Sequence, residues 1–189
     1  MSLRSALEEI MKALPGEVIE INKQVSINYE ITAYAEALSA SSPVLIFRNV
    51  NNFPGTTVVS NMFSSRSKIA AYLGVKEKEL NEKWVSIINR NSGFSIKGND
   101  GPVKEVALMG DKVDLYSLPV LMHYPQDGGR YITSGITVAR DTDGTVNLSF
   151  ARIQLIGKDR IALSMHSRGH LWSYYLHAKE IQRDLPISI

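Results

Sequence analysis

At 189 residues the chain has room for one substantial core or two small ones, and a composition 44% hydrophobic and 21% charged is that of a globular protein, which excludes disorder. Its 21 basic and 19 acidic residues leave a net charge of +2, too weak a field to hold nucleic acid or an anionic membrane. With no cysteine, disulfides, thiolate metal sites and cysteine nucleophiles are excluded, and a reducing compartment is compatible.

The N-terminus lacks an apolar signal core, and no stretch approaches the roughly 18 apolar residues of a membrane span, so a cytoplasmic protein is expected. Apolar residues at Leu3, Leu7, Ile10, Met11 and Leu14 recur at helical spacing, and Pro15-Gly16 ends that run. A strand is expected near Val18 to Ile21, then a helix from Glu30 to Leu38 with Ile31, Tyr34, Ala35 and Leu38 on one face. Pro43-Val-Leu-Ile-Phe47 is a continuous apolar run that suits a strand buried on both faces. Ser64 to Gly74 carries serines able to cap a helix and a glycine suited to its end, with Ile69, Ala70 and Leu73 facing inward. Lys76 to Ile88 predicts another helix with a solvated charged start, and Asn89 to Gly101, rich in asparagine and glycine, an exposed linker.

Beyond the linker, Val103 to Val113 reads as a strand, and His123-Tyr-Pro-Gln-Asp-Gly-Gly129 as a tight turn. Three β-rich runs follow: Ile132 to Ala139, Val146 to Ile156 and Arg160 to His166. The turns between them, Asp141-Thr-Asp-Gly144 and Gly157-Lys-Asp159, predict a three-stranded antiparallel meander. Leu171 to Arg183 reads as a helix and Leu185 to Ile189 as the start of a further strand. The expected class is α+β, with an N-terminal α/β domain over residues 1–101 and a mostly antiparallel domain over 102–189.

The middle run carries the candidate chemistry. Alternation puts Asn147, Ser149, Ala151 and Ile153 on one side and Leu148, Phe150, Arg152 and Gln154 on the other. Asn147 and Arg152 are thereby separated, unless a bulge re-aims the strand. Read singly, Asn147 suits a strand edge, His166 a satisfied side chain, Arg152 a solvated face, Met165 a core position and Arg168-Gly169 a turn. A lone glycine such as Gly135 marks a close backbone approach or an interrupted strand.

Taken together, Asp127-Gly-Gly129, Thr133-Ser-Gly135, Asn147-Leu-Ser-Phe-Ala-Arg152 and His166-Ser-Arg-Gly169 resemble the UbiD-type decarboxylases, which use prenylated flavin mononucleotide. The likeness extends to Pro43–Val50, to Ser60-Asn-Met-Phe-Ser-Ser-Arg-Ser67 with Ile69–Gly74, and to Val103-Lys-Glu105, Val113-Asp-Leu115 and Leu118-Pro119. It implies that the second domain is part of a split β-barrel, of flavin reductase-like kind, that holds prenylated FMN or FMN. It also implies a carboxy-lyase acting on an aromatic or α,β-unsaturated carboxylic acid.

Carried over by position, the resemblance makes Arg152 the catalytic cation beside flavin and substrate carboxylate. Thr133, Phe150, Ala151, Arg152, Ser164, Met165, His166, Arg168 and Gly169 become flavin contacts, and Asn147 and His166 ligands of a manganese-like divalent ion, with potassium as a further cation. His123, His170 and His177 show no metal-ligand spacing with one another. Family members run to more than twice this length, and the glutamate completing the metal site and the proton-transfer acids lie beyond the equivalent of Ile189. The barrel would also be unfinished, and its exposed strand edges would favour association. The chain is therefore expected to be either a fragment or a naturally short protein that pairs with itself or with a complementing subunit, and decarboxylation by the chain alone is not expected. Two other classes remain open: a catalytically silent flavin-binding or assembly subunit, and a flavin reductase-like FMN protein, although no GxGxxG dinucleotide fingerprint is present.

Overall fold

A computed structural model of the chain describes residues 3–90 and 101–189, so most of the linker expected at Asn89 to Gly101 lies outside the described residues. The chain gathers into two compact units, Met1–Ser26 with Glu30–Lys112, and Ile27–Tyr29 with Val113–Ile189. Among the described residues no helix is long and apolar enough to cross a membrane.

The first unit runs α1 (Leu3–Ala13), β1 (Val18–Ile21), α2 (Glu30–Ala37), β2 (Val44–Phe47), β3 (Val58–Ser60), α3 (Arg66–Tyr72) and α4 (Leu80–Ile88). Its sheet has the order β1-β2-β3, with β2 parallel to β1 and antiparallel to β3. As the central strand, β2 is buried along its whole length, which is why its sequence is uninterruptedly apolar. Val44 and Ile46 form a core with Met62 and with Ala6 and Ile10 of α1. Leu3, the first residue of α1, is 63% exposed, and Met11 is also exposed. The helix expected from Lys76 begins as a single 3₁₀ turn, Glu77–Glu79, before α4.

Ser65 caps α3 by accepting the Lys68 amide at 3.3 Å, and Gly74 follows with φ 66°, the left-handed conformation that ends a helix without strain. The inward side chains of this helix are Lys68 and Ala70, not Ile69 and Leu73, which are only partly buried. Lys68 is fully buried, and its ammonium reaches Ser42 O at 2.7 Å, Ser64 Oγ at 3.1 Å and Glu17 Oε2 at 3.1 Å. Three acceptors for three protons make burial tolerable, because every N–H lost to water is replaced.

Val103 to Val113 is not a strand. It holds two 3₁₀ turns, Pro102–Lys104 and Gly110–Lys112, and Val103, Val106, Leu108 and Met109 face solvent. The apolar content read as β has no neighbouring strand among the described residues to bury it.

The second unit contains β4 (Tyr131–Ile132), β5 (Ile136–Arg140), β6 (Val146–Phe150), β7 (Arg152–Leu155), β8 (Ile161–Ser164), α5 (His170–Glu180) and β9 (Ile187–Ser188). The expected meander is replaced by two antiparallel sheets, β4-β7-β8 and β6-β5-β9, and no closed barrel is present among the described residues. Two of the runs read as single strands each supply a strand to both sheets: Ile132 to Ala139 divides at Thr133–Gly135, and Val146 to Ile156 at Ala151.

Register explains the division. Ile132 pairs with Ile153 and Ile136 with Phe150, so three residues, Thr133 to Gly135, face two, Ala151 and Arg152. The extra residue makes a bulge, and it sits opposite the Asn147–Arg152 strand, not within it. Alternation therefore persists through β6 and β7: Val146, Leu148, Phe150 and Arg152 are exposed, while Ala151, Ile153 and Leu155 are buried. A Cβ on Gly135 would lie 3.0 Å from methyls of both Ile132 and Ile189 and 3.4 Å from Ile153, so any side chain here would push these isoleucines back from the bend. The segment Ile27–Tyr29 joins this unit through Met122, with Tyr29 N donating to Met122 O at 2.8 Å and Met122 N to Ile27 O at 3.1 Å.

Two measurements test this account. Lys68→Met keeps the buried stem but leaves the acceptors at Glu17, Ser42 and Ser64 without their donor, and should destabilise the chain by about 1–3 kcal/mol in urea denaturation. In the β6–β7 strand, Phe150→Ser should change stability by no more than about 0.5 kcal/mol, whereas Ala151→Leu, one position on and inward-facing, should cost about 1–3 kcal/mol by overpacking. Equal effects at the two positions would contradict the alternation.

Candidate functional site

The β4-β7-β8 sheet turns one row of side chains outward: Arg152 pairs with Ser164, and Gln154 pairs with Ala162 on one side and Tyr131 on the other. With Leu163 these residues line an open depression of about 290 Å³. Ala162 and Ser164 are small, so room is left beside the guanidinium of Arg152. Arg152 makes no salt bridge with any described residue, which leaves its planar fork available to an oxyanion.

A glycine turn borders the depression. Gln154 Nε2 donates to Gly128 O at 2.8 Å, and Asp127 Oδ2 accepts the backbone N–H groups of His123 at 3.1 Å and Tyr124 at 2.9 Å. A Cβ at Gly128 or Gly129 would come within 3.3 or 3.2 Å of the Gln154 amide, so the two glycines let the turn close on β7.

The inner face of the β5–β6 hairpin is different. It presents Asn147 and Ser149 from β6 and Thr137 from β5, with Thr137 directly opposite Ser149. Thr137 is 1% exposed, and neither its Oγ1 nor the Oγ of Ser149 has a hydrogen-bond partner among the described residues. Two orphaned hydroxyls so placed are a costly arrangement for an empty core and a useful one beneath a polar group. Asn147 Oδ1 lies 3.3 Å from the Nδ1 of His170, the first residue of α5. Gly169 caps that helix with no side-chain bond of its own.

Asp141 closes the hairpin turn, and its carboxylate meets His177 of α5 at 2.9 and 3.0 Å. Asp143 accepts the Thr145 N–H at 2.8 Å, and that bond above all holds its carboxyl below the usual carboxylate range. The hydroxyl of Tyr174 is pushed above the ordinary tyrosine range, first by desolvation and then by the negative charges of Asp141 and Asp143.

The expected site residues fall into three groups. Arg152 and Ser164 share the outer depression, with exposed Thr133 in the bulge and Phe150, 76% exposed, at the end of β6. Ala151 points into the core, and Met165 packs against Ala139, Leu171 and Tyr174, so the side chains of these two face protein. Asn147 lies on the inner face, while exposed His166, Arg168 and half-buried Gly169 form the loop before α5. His166 Nδ1 accepts the Arg168 amide at 3.1 Å, and its carbonyl accepts that of Gly169 at 2.8 Å. The histidine brought to Asn147 is His170. Histidine-to-histidine spacing could not find it, since its partner is an asparagine 23 residues earlier. Gln154 was legible as a neighbour of Arg152, two residues on along one face. Among the described residues, no group of three His, Cys, Asp or Glu side chains is placed to hold a metal.

Comparison with known proteins bears on both units. Residues 11–88 match the 3-octaprenyl-4-hydroxybenzoate carboxy-lyase N-terminal domain, and residues 95–189 the Rift-related domain of the same carboxy-lyase. Anhydromevalonate phosphate decarboxylase of Methanosarcina mazei is 33% identical over 174 residues, 92% of this chain and 39% of its own. Phenolic acid decarboxylase of Streptomyces sp. (strain D7) is 30% identical, over 99% of this chain and 42% of its own. Among solved structures, an evolved dimeric form of the UbiD-class enzyme HmfF from Pelotomaculum thermopropionicum, in complex with prFMN, superposes with a TM-score of 0.87 at 30% identity. That superposition covers 98% of this chain and 43% of the other. The chain thus spans about two-fifths of the length of these relatives. Matched in order through both of its units, it belongs to the UbiD family of carboxy-lyases.

Proposed function

We propose that the chain is the cofactor-binding part of a decarboxylase acting on an aromatic or α,β-unsaturated carboxylic acid with prenylated FMN, in a cytoplasmic setting, and that its two β-sheets are part of a split β-barrel. The observation that carries this reading is the outer depression, where Arg152 stands without an acidic partner beside Ser164, Gln154 and Tyr131. A prenylated flavin, when bound, supplies the electron sink that an aromatic or alkenyl carbanion lacks. Arg152 orients the substrate carboxylate by a charge-assisted, bidentate hydrogen bond, and Gln154 and Tyr131 fix the wall of the depression. Thr133, Phe150, Ser164, Arg168 and Gly169 border the cofactor, and Ala151 and Met165 support it from the core side.

The inner face fits a hard divalent cation with a phosphate. Its donors are an amide oxygen and an imidazole nitrogen, the set that suits manganese, and the orphaned hydroxyls of Thr137 and Ser149 have bonds to give to phosphate oxygens. Asn147 and His170 are the ligands in this reading, with His166 at the rim. The backbone N–H groups at the start of α5 add favourable dipoles for an anion. No ligands for potassium are assigned.

A second reading, a silent flavin-binding or assembly subunit completed by another chain, is favoured by the outer face of the β5–β6 hairpin. Ile136, Val146, Leu148 and Phe150 lie exposed there beside the free edge of β6, an apolar surface that protein monomers ordinarily cover.

The two readings part on turnover. The chain alone, loaded with prenylated FMN, should not decarboxylate cinnamate, because a positioned proton donor contributes about 10²- to 10⁴-fold and no aspartate, glutamate or histidine lines the depression among the described residues. Turnover by the chain alone would exclude the second reading. On the first, Arg152→Ala should leave thermal melting unchanged and weaken cinnamate binding to the flavin-loaded chain about 10- to 150-fold, with Arg152→Lys recovering only part. Mn²⁺ affinity measured with FMN present should fall in Asn147→Ala and His170→Ala more than in His166→Ala. Unchanged affinity in all three would overturn the metal assignment.

A further inference from the structure

The α5 helix grips the β5–β6 hairpin through two histidines seven residues apart, and therefore on the same helical face. His170 meets Asn147 at 3.3 Å, while the Nδ1 of His177 meets both carboxylate oxygens of Asp141, at 2.9 and 3.0 Å. Asp141 is well placed to anchor. Its carboxylate is 8% exposed, also takes the Thr142 N–H at 2.7 Å, and belongs to the residue whose own N–H and C=O close the turn with Thr145 and Gly144.

The apolar face beneath the helix buries Leu171, Tyr174 and Ala178, with Ala139 in the same core and Leu163, Met165 and Leu185 at its margin. Apolar burial is non-directional and fixes a helix on a sheet without setting its rotation tightly. Polar pairs set the rotation, and a charge-assisted bond sets it more firmly than a neutral one. Of the two pairs, Asp141–His177 has the shorter contacts and the carboxylate, whereas Asn147–His170 is longer and includes no carboxylate.

We propose that Asp141 and His177 are positioning residues, a clamp that fixes α5 on the hairpin and so keeps the His170 ring opposite the Asn147 amide. This rests on the reading above that Asn147 and His170 hold the cation. The clamp touches neither ligand. It acts by removing rotations of α5 that would part the ligands, just as outer partners of metal ligands set ring orientation elsewhere.

The test uses the full chain with His177→Phe, which keeps a ring and loses the donor, and His177→Asn, which keeps an N–H near the position of Nδ1. The His170 ring ¹⁵N shift is read without metal, and Mn²⁺ affinity is read with FMN. His177→Phe should move the His170 signal away from its wild-type position and weaken Mn²⁺ about 10-fold. His177→Asn should restore most of both. A wild-type His170 signal and wild-type affinity in His177→Phe would overturn the proposal even if the variant melts earlier, because a merely structural role predicts that pattern. If His177→Phe does not fold, the same outcome in His177→Ala overturns it. If Mn²⁺ affinity is insensitive to Asn147→Ala and His170→Ala, the cation reading fails, and the His170 signal still decides the clamp.

Discussion

At Gly135 one strand and its neighbour leave one sheet and enter another, and a missing side chain lets Ile132, Ile153 and Ile189 close over the bend. Much of the second unit follows from this packing. Because the extra residue is on the glycine side, the opposite strand runs from Val146 to Leu155 without losing its alternation. Arg152 therefore faces outward with Gln154, and Asn147 faces α5. A single strand thus supplies an outer polar depression from one face and an inner oxygen-rich site from the other.

The division of labour has an energetic side. The outer row tolerates exposed, charged or aromatic residues because burial contributes nothing there, as with Phe150. The inner row bears the packing, through Ala151, Ile153 and Leu155, and then departs from it at Ser149 and Thr137, where hydroxyls occupy positions an apolar side chain would stabilise. Residues that weaken a core locally and serve no visible bond are where function is to be sought.

Much of this was legible in the residues. β2, α2 and α5 followed from apolar run and period, and Gly74 and Gly144 take the positive φ their turns require. The period-two alternation that separates Asn147 from Arg152 is the same in sequence and structure. Length deceived where composition did not: the runs from Ile132 and Val146 are each continuous in β propensity, and only pairing register reveals that they change sheets. Val103 to Met109 misled for the opposite reason, since propensity without a partner strand makes no sheet. Lys68 was invisible because a lysine on a short helix ordinarily marks the solvent side, and two of its three acceptors, Ser42 and Glu17, come from distant segments of the chain. The contact of His170 with Asn147 was hidden likewise, its partner being an asparagine 23 residues earlier.

The three residues Ile27–Tyr29 give the chain a timing problem. They emerge early in synthesis, yet their backbone partner, Met122, lies 93 residues beyond Tyr29. At roughly 5–20 residues per second the ribosome delivers that partner some 5–20 s later. The first unit can form around the segment in the interval, but the segment itself must wait with its amides in water. A gene cut between Lys112 and Val113 would leave this segment on one product and Met122 on the other, so their two backbone hydrogen bonds would have to form between chains.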